Sequence, residues 1–202
     1  MSNYSQFLVG SSYLTPGGRF PGFGSGRFWV PTVPNFTSDG SGTATANRLY
    51  CVPFVVPPSA GLTYTGAKVE QTGSGTTGNM RIGIYNDSGG YPGTLNADLG
   101  VAAFPGSTGI RTVATGGTLA PGNYWLAAVC DAALVYRRII SSASIDATWI
   151  QQNYGIYSGI SSPAFSVTAG FPYATHVYAA LPTPFPAIVT YDTNTPMLVL
   201  YT

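Results

Sequence analysis

Glycine and proline interrupt this chain so often that long helices are close to excluded. The sequence holds 26 Gly and 16 Pro among 202 residues, and both residue types end or distort regular elements. Between them lie short runs rich in β-branched and aromatic residues, bounded by Gly, Pro and Asn turns. This pattern predicts an all-β domain, either a sandwich or a barrel.

The expected strands follow one another from Arg48 onward. RLYCVPFVV at 48–56 is an apolar run, and LTYTGAKVE at 62–70 and MRIGIYN at 80–86 alternate with a period of two. The segment NDSGGYPG, residues 86–93, predicts a tight turn because Asn, Asp and Gly favour turn conformations. Further strands are expected at 94–104, 109–115, 124–130, 186–192 and 197–202, with a turn at TLAPGN (118–123) and one or two helical turns after Ser144.

Residues 1–47 have a different pattern from the rest of the chain. Gly, Pro, Ser, Thr and Asn alternate there with isolated aromatic residues, without the period of a strand or a helix. Such a segment cannot build its own core, which predicts an extended arm at 1–47 and a β-sandwich domain at 48–202. The arm's rings are expected to dock on a neighbouring subunit or on their own domain, and the candidates are Phe20, Phe23, Phe28, Trp29 and Phe36.

The charge content is unusually low. Charged residues make up 7% of the chain, against roughly 25% in typical soluble domains, so little charge keeps copies apart. With a net charge of +1 and only Arg137–Arg138 as a basic pair, no patch for nucleic acid is expected. That pair is interpreted as a solvated or interface-facing strand end. The first residues do not resemble a signal peptide, and no apolar run reaches the ~18–20 residues of a membrane span.

Residues that could carry catalysis are few and scattered. His176 stands in YATHVYAAL without a GxSxG nucleophile motif, and no glycine cluster is followed by Lys-Ser/Thr. A polysaccharide depolymerase would need clustered carboxylates, and the seven acidic residues are dispersed. We therefore expect no enzyme activity, no cofactor and no metal. Asp87 in NDSGG is interpreted as a turn residue in preference to a Ca²⁺ ligand.

Cys51 and Cys130 are separated by a long stretch of sequence without CxxC or Cys/His spacing, so zinc is not predicted. Both lie in apolar runs, which leaves two alternatives open: buried free thiols, or a disulfide between strands.

Aromatic surface is the one binding feature that the sequence supplies. The chain has 14 Tyr and 3 Trp, and rings of this kind suit subunit interfaces or sugar stacking. About half of them, Trp125 especially, are expected to fill cores. The turn at Asn86, Asp87 and Tyr91 is a candidate ligand or interface loop.

Three pieces of the sequence resemble a module of tailed-bacteriophage virion proteins. They are LYCVPF at 49–54, RIGIYNDSGGYPGTL at 81–95 and LAPGNYWLA at 119–127, and together they resemble the β-sandwich module of tail-fibre, collar and head-fibre components. The resemblance implies a jelly-roll-like antiparallel sandwich, frequently trimeric, built into a particle or displayed from it. It carries no catalytic residues.

These observations lead to a structural function as the first hypothesis. The chain is expected to be a fibre, collar, baseplate or capsid-decorating subunit, assembled in the host cytoplasm and located in the virion. Its partners would be other virion proteins and further copies of itself. The alternative is a carbohydrate-binding adhesin that contacts a host-surface glycan, and the two functions can coexist in one fibre.

Overall fold

The computed structural model describes residues 28–29, 39–56, 61–139, 171–192 and 194–202. In these ranges the chain forms β-strands joined by turns and loops, with no helix among them. The described part accordingly offers no helix that could cross a bilayer. The strands are β1 (Phe28–Trp29), β2 (Asp39–Thr43), β3 (Arg48–Val56), β4 (Leu62–Tyr64), β5 (Gly66–Gln71), β6 (Thr77–Ser88), β7 (Tyr91–Pro105), β8 (Gly109–Val113), β9 (Gly117–Leu119), β10 (Gly122–Cys130), β11 (Val135–Ile139), β12 (Phe171–Thr175), β13 (Thr190–Asp192) and β14 (Leu198–Tyr201).

Six strands form the front sheet in the order β13–β12–β3–β10–β6–β7, and all neighbours are antiparallel. Strand β10 lies inside this sheet. Its Tyr124 pairs with Phe54 of β3 on one side and with Asn86 of β6 on the other. The sheet is therefore organised around a strand whose backbone is bonded along both edges.

The back sheet has the order β1–β14–β5–β11–β2, and β8 also pairs with β5. Its pairs are antiparallel as well. A two-stranded sheet of β4 and β9 pairs Leu62 with Leu119. Because β4 follows β3 and β9 precedes β10, this small sheet lies at the end of the molecule where β3 ends and β10 begins. The predicted all-β antiparallel sandwich is confirmed.

The main core lies between the front and back sheets. The front sheet contributes Ile82, Ile84 and Leu126, and the back sheet contributes Val69 and Leu198, all at most 2% exposed. Side chains from both sheets meet in one cluster, which is the arrangement of a sandwich. Each fully buried aliphatic side chain of this kind adds about 1.5–3 kcal/mol of hydrophobic stabilisation.

A second core covers the outer face of the front sheet. Tyr85, Trp125 and Val129 point away from the back sheet and pack with Leu181 and Phe185, which lie in the loop between β12 and β13. Tyr85 and Phe185 meet edge to face with ring centroids 5.0 Å apart. The residues of β10 from Tyr124 to Cys130 are therefore buried on both faces.

The structure confirms most of the predicted strands and refines several of them. RLYCVPFVV forms β3 with the predicted bounds, whereas 62–70 divides into β4 and β5 at Thr65. The predicted turn at 118–123 contains part of β9, an unpredicted strand. Of the predicted strand at 186–192, Thr190–Asp192 forms β13. The helical turns predicted after Ser144 lie outside the described residues.

Two pieces of the predicted arm are strands of the back sheet. Phe28 of β1 pairs with Tyr201 of β14, and Ser41 of β2 pairs with Arg137 of β11. The backbones of these two pieces thus pair with strands of the predicted domain at 48–202. Phe20, Phe23 and Phe36 lie outside the described residues, and Phe28 and Trp29 are described only through their backbone pairing.

The core between the two sheets predicts that Ile82 and Ile110 contribute very differently to the free energy of unfolding. Ile82→Ala removes a side chain that is 0% exposed and should lower the free energy of unfolding by about 2–5 kcal/mol. Ile110→Ala, at a position 57% exposed, should cost less than about 1 kcal/mol. Urea denaturation followed by far-UV circular dichroism measures both, and equal losses would contradict this core.

Candidate functional site

The β6–β7 hairpin ends in a turn of two glycines. Gly89 and Gly90 have φ of 63° and 87°, the left-handed conformations that a tight type I′ hairpin turn requires. Strand β6 ends at Ser88 and β7 begins at Tyr91, so the turn predicted from NDSGGYPG is confirmed. The hairpin tip carries the three residues that the sequence singled out as a candidate loop.

Asp87 fixes this turn and joins it to the second core. Its Oδ2 accepts a hydrogen bond from the backbone N–H of Gly90 at 3.0 Å, and its Oδ1 accepts one from the Trp125 indole N–H at 2.8 Å. Trp125 is 2% exposed, so this carboxylate satisfies a donor that would otherwise be buried without a partner. The predicted turn role of Asp87 agrees with these contacts, whereas its indole partner could not be read from sequence.

Asn86 has a structural role beside Asp87. Its Nδ2 donates to Thr94 Oγ1 at 3.0 Å, and its Oδ1 accepts from Asn96 Nδ2 at 2.9 Å. The β6–β7 ladder is irregular here, with register shifts at three places between Ile82 and Asp87. Asn86 therefore ties together a stretch of β7 in which bulges interrupt the backbone pairing.

A small cleft of about 230 Å³ opens next to this hairpin. Its walls come from the last part of β3, the start of β10 and the hairpin tip, and the lining residues are Pro53, Phe54, Val55, Asp87, Gly90, Asn123, Tyr124 and Trp125. Phe54 and Tyr124 stack with ring centroids 5.7 Å apart. The cleft is thus mostly apolar, with the carboxylate of Asp87 as its charged group.

Tyr91 and Val55 place apolar surface near this cleft. Val55, a lining residue, is 39% exposed, and Tyr91, which directly follows Gly90, is 51% exposed. Among the side chains whose burial the structure describes, Tyr91 is the only exposed aromatic ring. Trp125 lies in a core, as expected. The structure brings Asp87 and Tyr91 to one hairpin tip, as the sequence predicted.

Most charged side chains of the described residues form ion pairs within the chain. Arg48 contacts Asp192 at 2.6 Å, Arg81 contacts Asp98 at 2.7 Å, and Arg137 contacts Glu70 at 2.9 Å. Arg138 donates from Nη1 to Asn194 Oδ1 at 2.6 Å. Both arginines of the Arg137–Arg138 pair in β11 therefore bind side chains of their own chain.

The described carboxylates accept hydrogen bonds from backbone N–H groups, from these arginines, or from the side chains of Trp125 and Asn79. Asp131 accepts hydrogen bonds from the N–H and the side-chain amide of Asn79, both at 2.7 Å. His176 lies apart from them, with Nε2 3.0 Å from the carbonyl oxygen of Ala180. In the described ranges no three His, Cys, Asp or Glu side chains come together as a metal site.

The two cysteines lie on opposite faces of the front sheet. Cys51 belongs to the second core and Cys130 to the main core, and both are buried free thiols. The free-thiol alternative is therefore the correct one. Burial raises the pKa of both thiols above their ordinary value, and Cys51 donates its S–H to the carbonyl oxygen of Pro172 at 3.2 Å. Protonated, enclosed thiols of this kind are poor nucleophiles.

Comparison of the chain with protein-family models, with curated proteins and with solved structures returned no match. The cleft at the hairpin tip is therefore a candidate site on the basis of its geometry alone. The sequence pointed to the hairpin through its turn residues, but it did not indicate Pro53, Val55 or Asn123, which reach the cleft only through strand pairing.

The Asp87–Trp125 contact predicts a specific loss of stability. Asp87→Ala leaves the buried indole N–H without this acceptor and releases the turn, so the free energy of unfolding should fall by about 1–3 kcal/mol. The matched control is Asp131→Ala, an exposed acidic residue whose bonds go to the partly exposed Asn79, with an expected loss of about 1 kcal/mol or less. Guanidinium denaturation measures both, and a control loss as large as that of Asp87→Ala would refute this role of the indole bond.

The buried thiols and phenols predict a loss of stability at alkaline pH. Desolvation raises the folded-state pKa of Cys51 and Cys130 above 9.0, and of Tyr85 and Tyr136 above 10.0. The unfolded chain therefore loses these protons first as pH rises. Their contribution is complete below about pH 9 and declines above it, by up to about 1.4 kcal/mol per pH unit for each group.

Urea midpoints at about pH 8 and about pH 10.5 test this dependence. The midpoint should fall at the higher pH, and the fall should be smaller in the Cys51→Ala, Cys130→Ala double variant when each protein is compared with itself. An unchanged midpoint would show that these groups titrate in the folded state as they do in the unfolded chain.

Proposed function

We propose that this chain is a structural subunit of a tailed-phage particle, of the fibre, collar, baseplate or capsid-decorating type, and that it acts through protein–protein assembly. The main support is the placement of the three sequence pieces that resemble virion proteins. They form β3, the β6–β7 hairpin with its tip, and β10, and these strands are direct neighbours in the front sheet in the order β3–β10–β6–β7. Pieces that are separate in sequence thus form one continuous structural unit.

The use of polar side chains supports a role in assembly. Five of the seven acidic residues have described side chains, and each accepts a structural hydrogen bond or ion pair: Glu70, Asp87, Asp98, Asp131 and Asp192. Little charge is left to oppose the approach of another subunit. The proposed partners are other virion proteins and further copies of the chain, with a trimer as the proposed oligomer by analogy with the resembling proteins.

A second candidate function, binding of a host-surface glycan, is favoured by one observation. Tyr91 is 51% exposed at the hairpin tip and directly follows Gly90, a lining residue of the cleft. An exposed aromatic ring of this kind suits sugar stacking. In a displayed fibre this function would add to the structural one.

Immunogold labelling of purified particles from the source culture tests the proposed function. An antibody raised against the purified chain should place gold at one location, such as the capsid vertex, the neck or the tail tip. Pre-absorbing the antibody with the purified chain should remove the gold and serves as the control. Bare particles with the antigen free in the medium would overturn the virion role and leave glycan binding as the leading function.

A further inference from the structure

Strand β7 forms one edge of the front sheet. It pairs with β6 on one side, and among the described strands none pairs with its other side. The pairing with β6 is regular from Gly100 to Pro105, opposite Ile82 to Thr77, whereas register shifts interrupt it between Ile82 and Asp87. An edge strand presents backbone N–H and C=O groups that its own sheet leaves unpaired, and another strand can bind them.

The first half of this edge is covered by the loop between β12 and β13. The carbonyl oxygen of Gly93 accepts a hydrogen bond from the N–H of Phe185 at 2.8 Å. The N–H of Leu95 donates to Thr183 Oγ1 at 3.4 Å. This half of β7 is therefore closed to an added strand.

The second half, Val101–Pro105, lacks such cover. In the described structure these residues make no hydrogen bond outside their pairing with β6. They carry no charge, and the acidic residue of the strand, Asp98, is paired with Arg81. Charged side chains and bulges are the usual protection of an edge against unwanted pairing, and this half contains neither.

The side chains of this half alternate between the core and the surface. Ala102 and Phe104 belong to the main core and are each 1% exposed. Val101 is 44% exposed, and Ala103 and Pro105 are exposed as well. Residues directly opposite each other in an antiparallel pair share a face of the sheet. A strand with the same alternation can thus add to this edge without placing a charge on either face.

We propose that Val101–Pro105 pairs antiparallel with the same residues of a second copy of this chain, around a twofold axis near Ala103. The two front sheets then form one continuous sheet. This inference rests on the proposed role in assembly, and it names the surface through which copies join. A twofold contact joins copies in pairs, so it is separate from the contacts of the trimer proposed by analogy.

The covered half of β7 selects the antiparallel arrangement. In a parallel pair, the loop residues on Gly93 and Leu95 of one copy would lie against the same residues of the other copy and hold the strands apart. In the antiparallel pair, the covered half of each strand lies beyond Pro105 of its partner, where β7 has ended and the chain continues into β8 of the back sheet. The two covered halves therefore do not meet.

A second copy also matches this edge better than a flexible peptide does. A peptide would lose backbone conformational entropy at every residue that pairs. The second copy presents Val101–Pro105 already extended within β7, and preorganised segments bind at a lower entropic cost. Its edge is uncharged over the same residues, so no like charges meet when the two strands approach.

A single cysteine substitution tests the contact in the full chain. In the proposed pair, Ala103 faces its own copy at a Cα separation of roughly 4.5–5.5 Å, which suits a disulfide. Ala103→Cys should therefore yield disulfide-linked pairs under mild oxidation, whereas Cys51 and Cys130 are buried and should stay reduced. The matched control is Val189→Cys, 58% exposed beside β13 at the opposite edge of the front sheet. Its yield should be at least about fivefold lower, and similar yields from the two variants, or no linked pairs from Ala103→Cys, would overturn the proposal.

Lysine substitutions provide a second measurement that needs no covalent link. Val101→Lys places a charge on the edge of both copies and should raise the dissociation constant of the pair at least about tenfold. Val189→Lys, an equally exposed valine to lysine change away from the contact, should alter it less than about twofold. Sedimentation equilibrium measures the association, and far-UV circular dichroism checks that both variants fold. A parent chain that does not pair, or equal effects of the two lysines, would contradict the β7 contact.

The outcomes also separate this inference from the proposed function. Gold-labelled particles without linked pairs from Ala103→Cys would leave the virion role and remove the β7 contact. Bare particles with efficient linking would leave the self-association and remove the virion role.

Discussion

The fold depends on the burial of β10 on both of its faces. The sequence YWLAAVC from Tyr124 to Cys130 contains no charged residue, and the strand is bonded to β3 and β6 along both edges. Alternate side chains need separate apolar environments, because successive residues of a strand point to opposite sides. The back sheet supplies one environment and the loop after β12 supplies the other. The burial of β10 on both faces therefore requires two cores.

Close packing on the outer face depends on a glycine in the neighbouring strand. A Cβ at Gly83 would lie 2.9 Å from the carbonyl oxygen of Ala97 and would collide with the side chain of Leu181. The absence of a side chain lets the loop residues approach the sheet. Asp87 completes the same face by bonding the Trp125 indole. The outer core and the hairpin tip are thus parts of one packed unit.

How far the sequence predicts this structure follows from the range of each interaction. Local signals indicated the strands β3 and β10 and the tight turn at Gly89–Gly90, because period, composition and turn preference act over a few residues. Nothing local showed that β2 joins β11, since Asp39–Thr43 is a polar stretch whose pairing is set by a distant partner. The cleft likewise depends on residues that are distant in sequence, because Pro53, Asp87 and Asn123 come from three separate strands. The turn residues could be singled out from sequence, whereas their neighbours required the strand order.

The few charged side chains of this chain have structural partners where the structure describes them. Charged residues make up 7% of the chain, and the five described carboxylates accept hydrogen bonds from arginines, an amide, an indole and backbone N–H groups. At the hairpin tip, Asp87 bonds both the turn and the Trp125 indole, and Tyr91 is exposed directly after Gly90. Few charges on such a surface oppose the approach of a neighbouring subunit, and this is the physical basis for proposing a role in assembly.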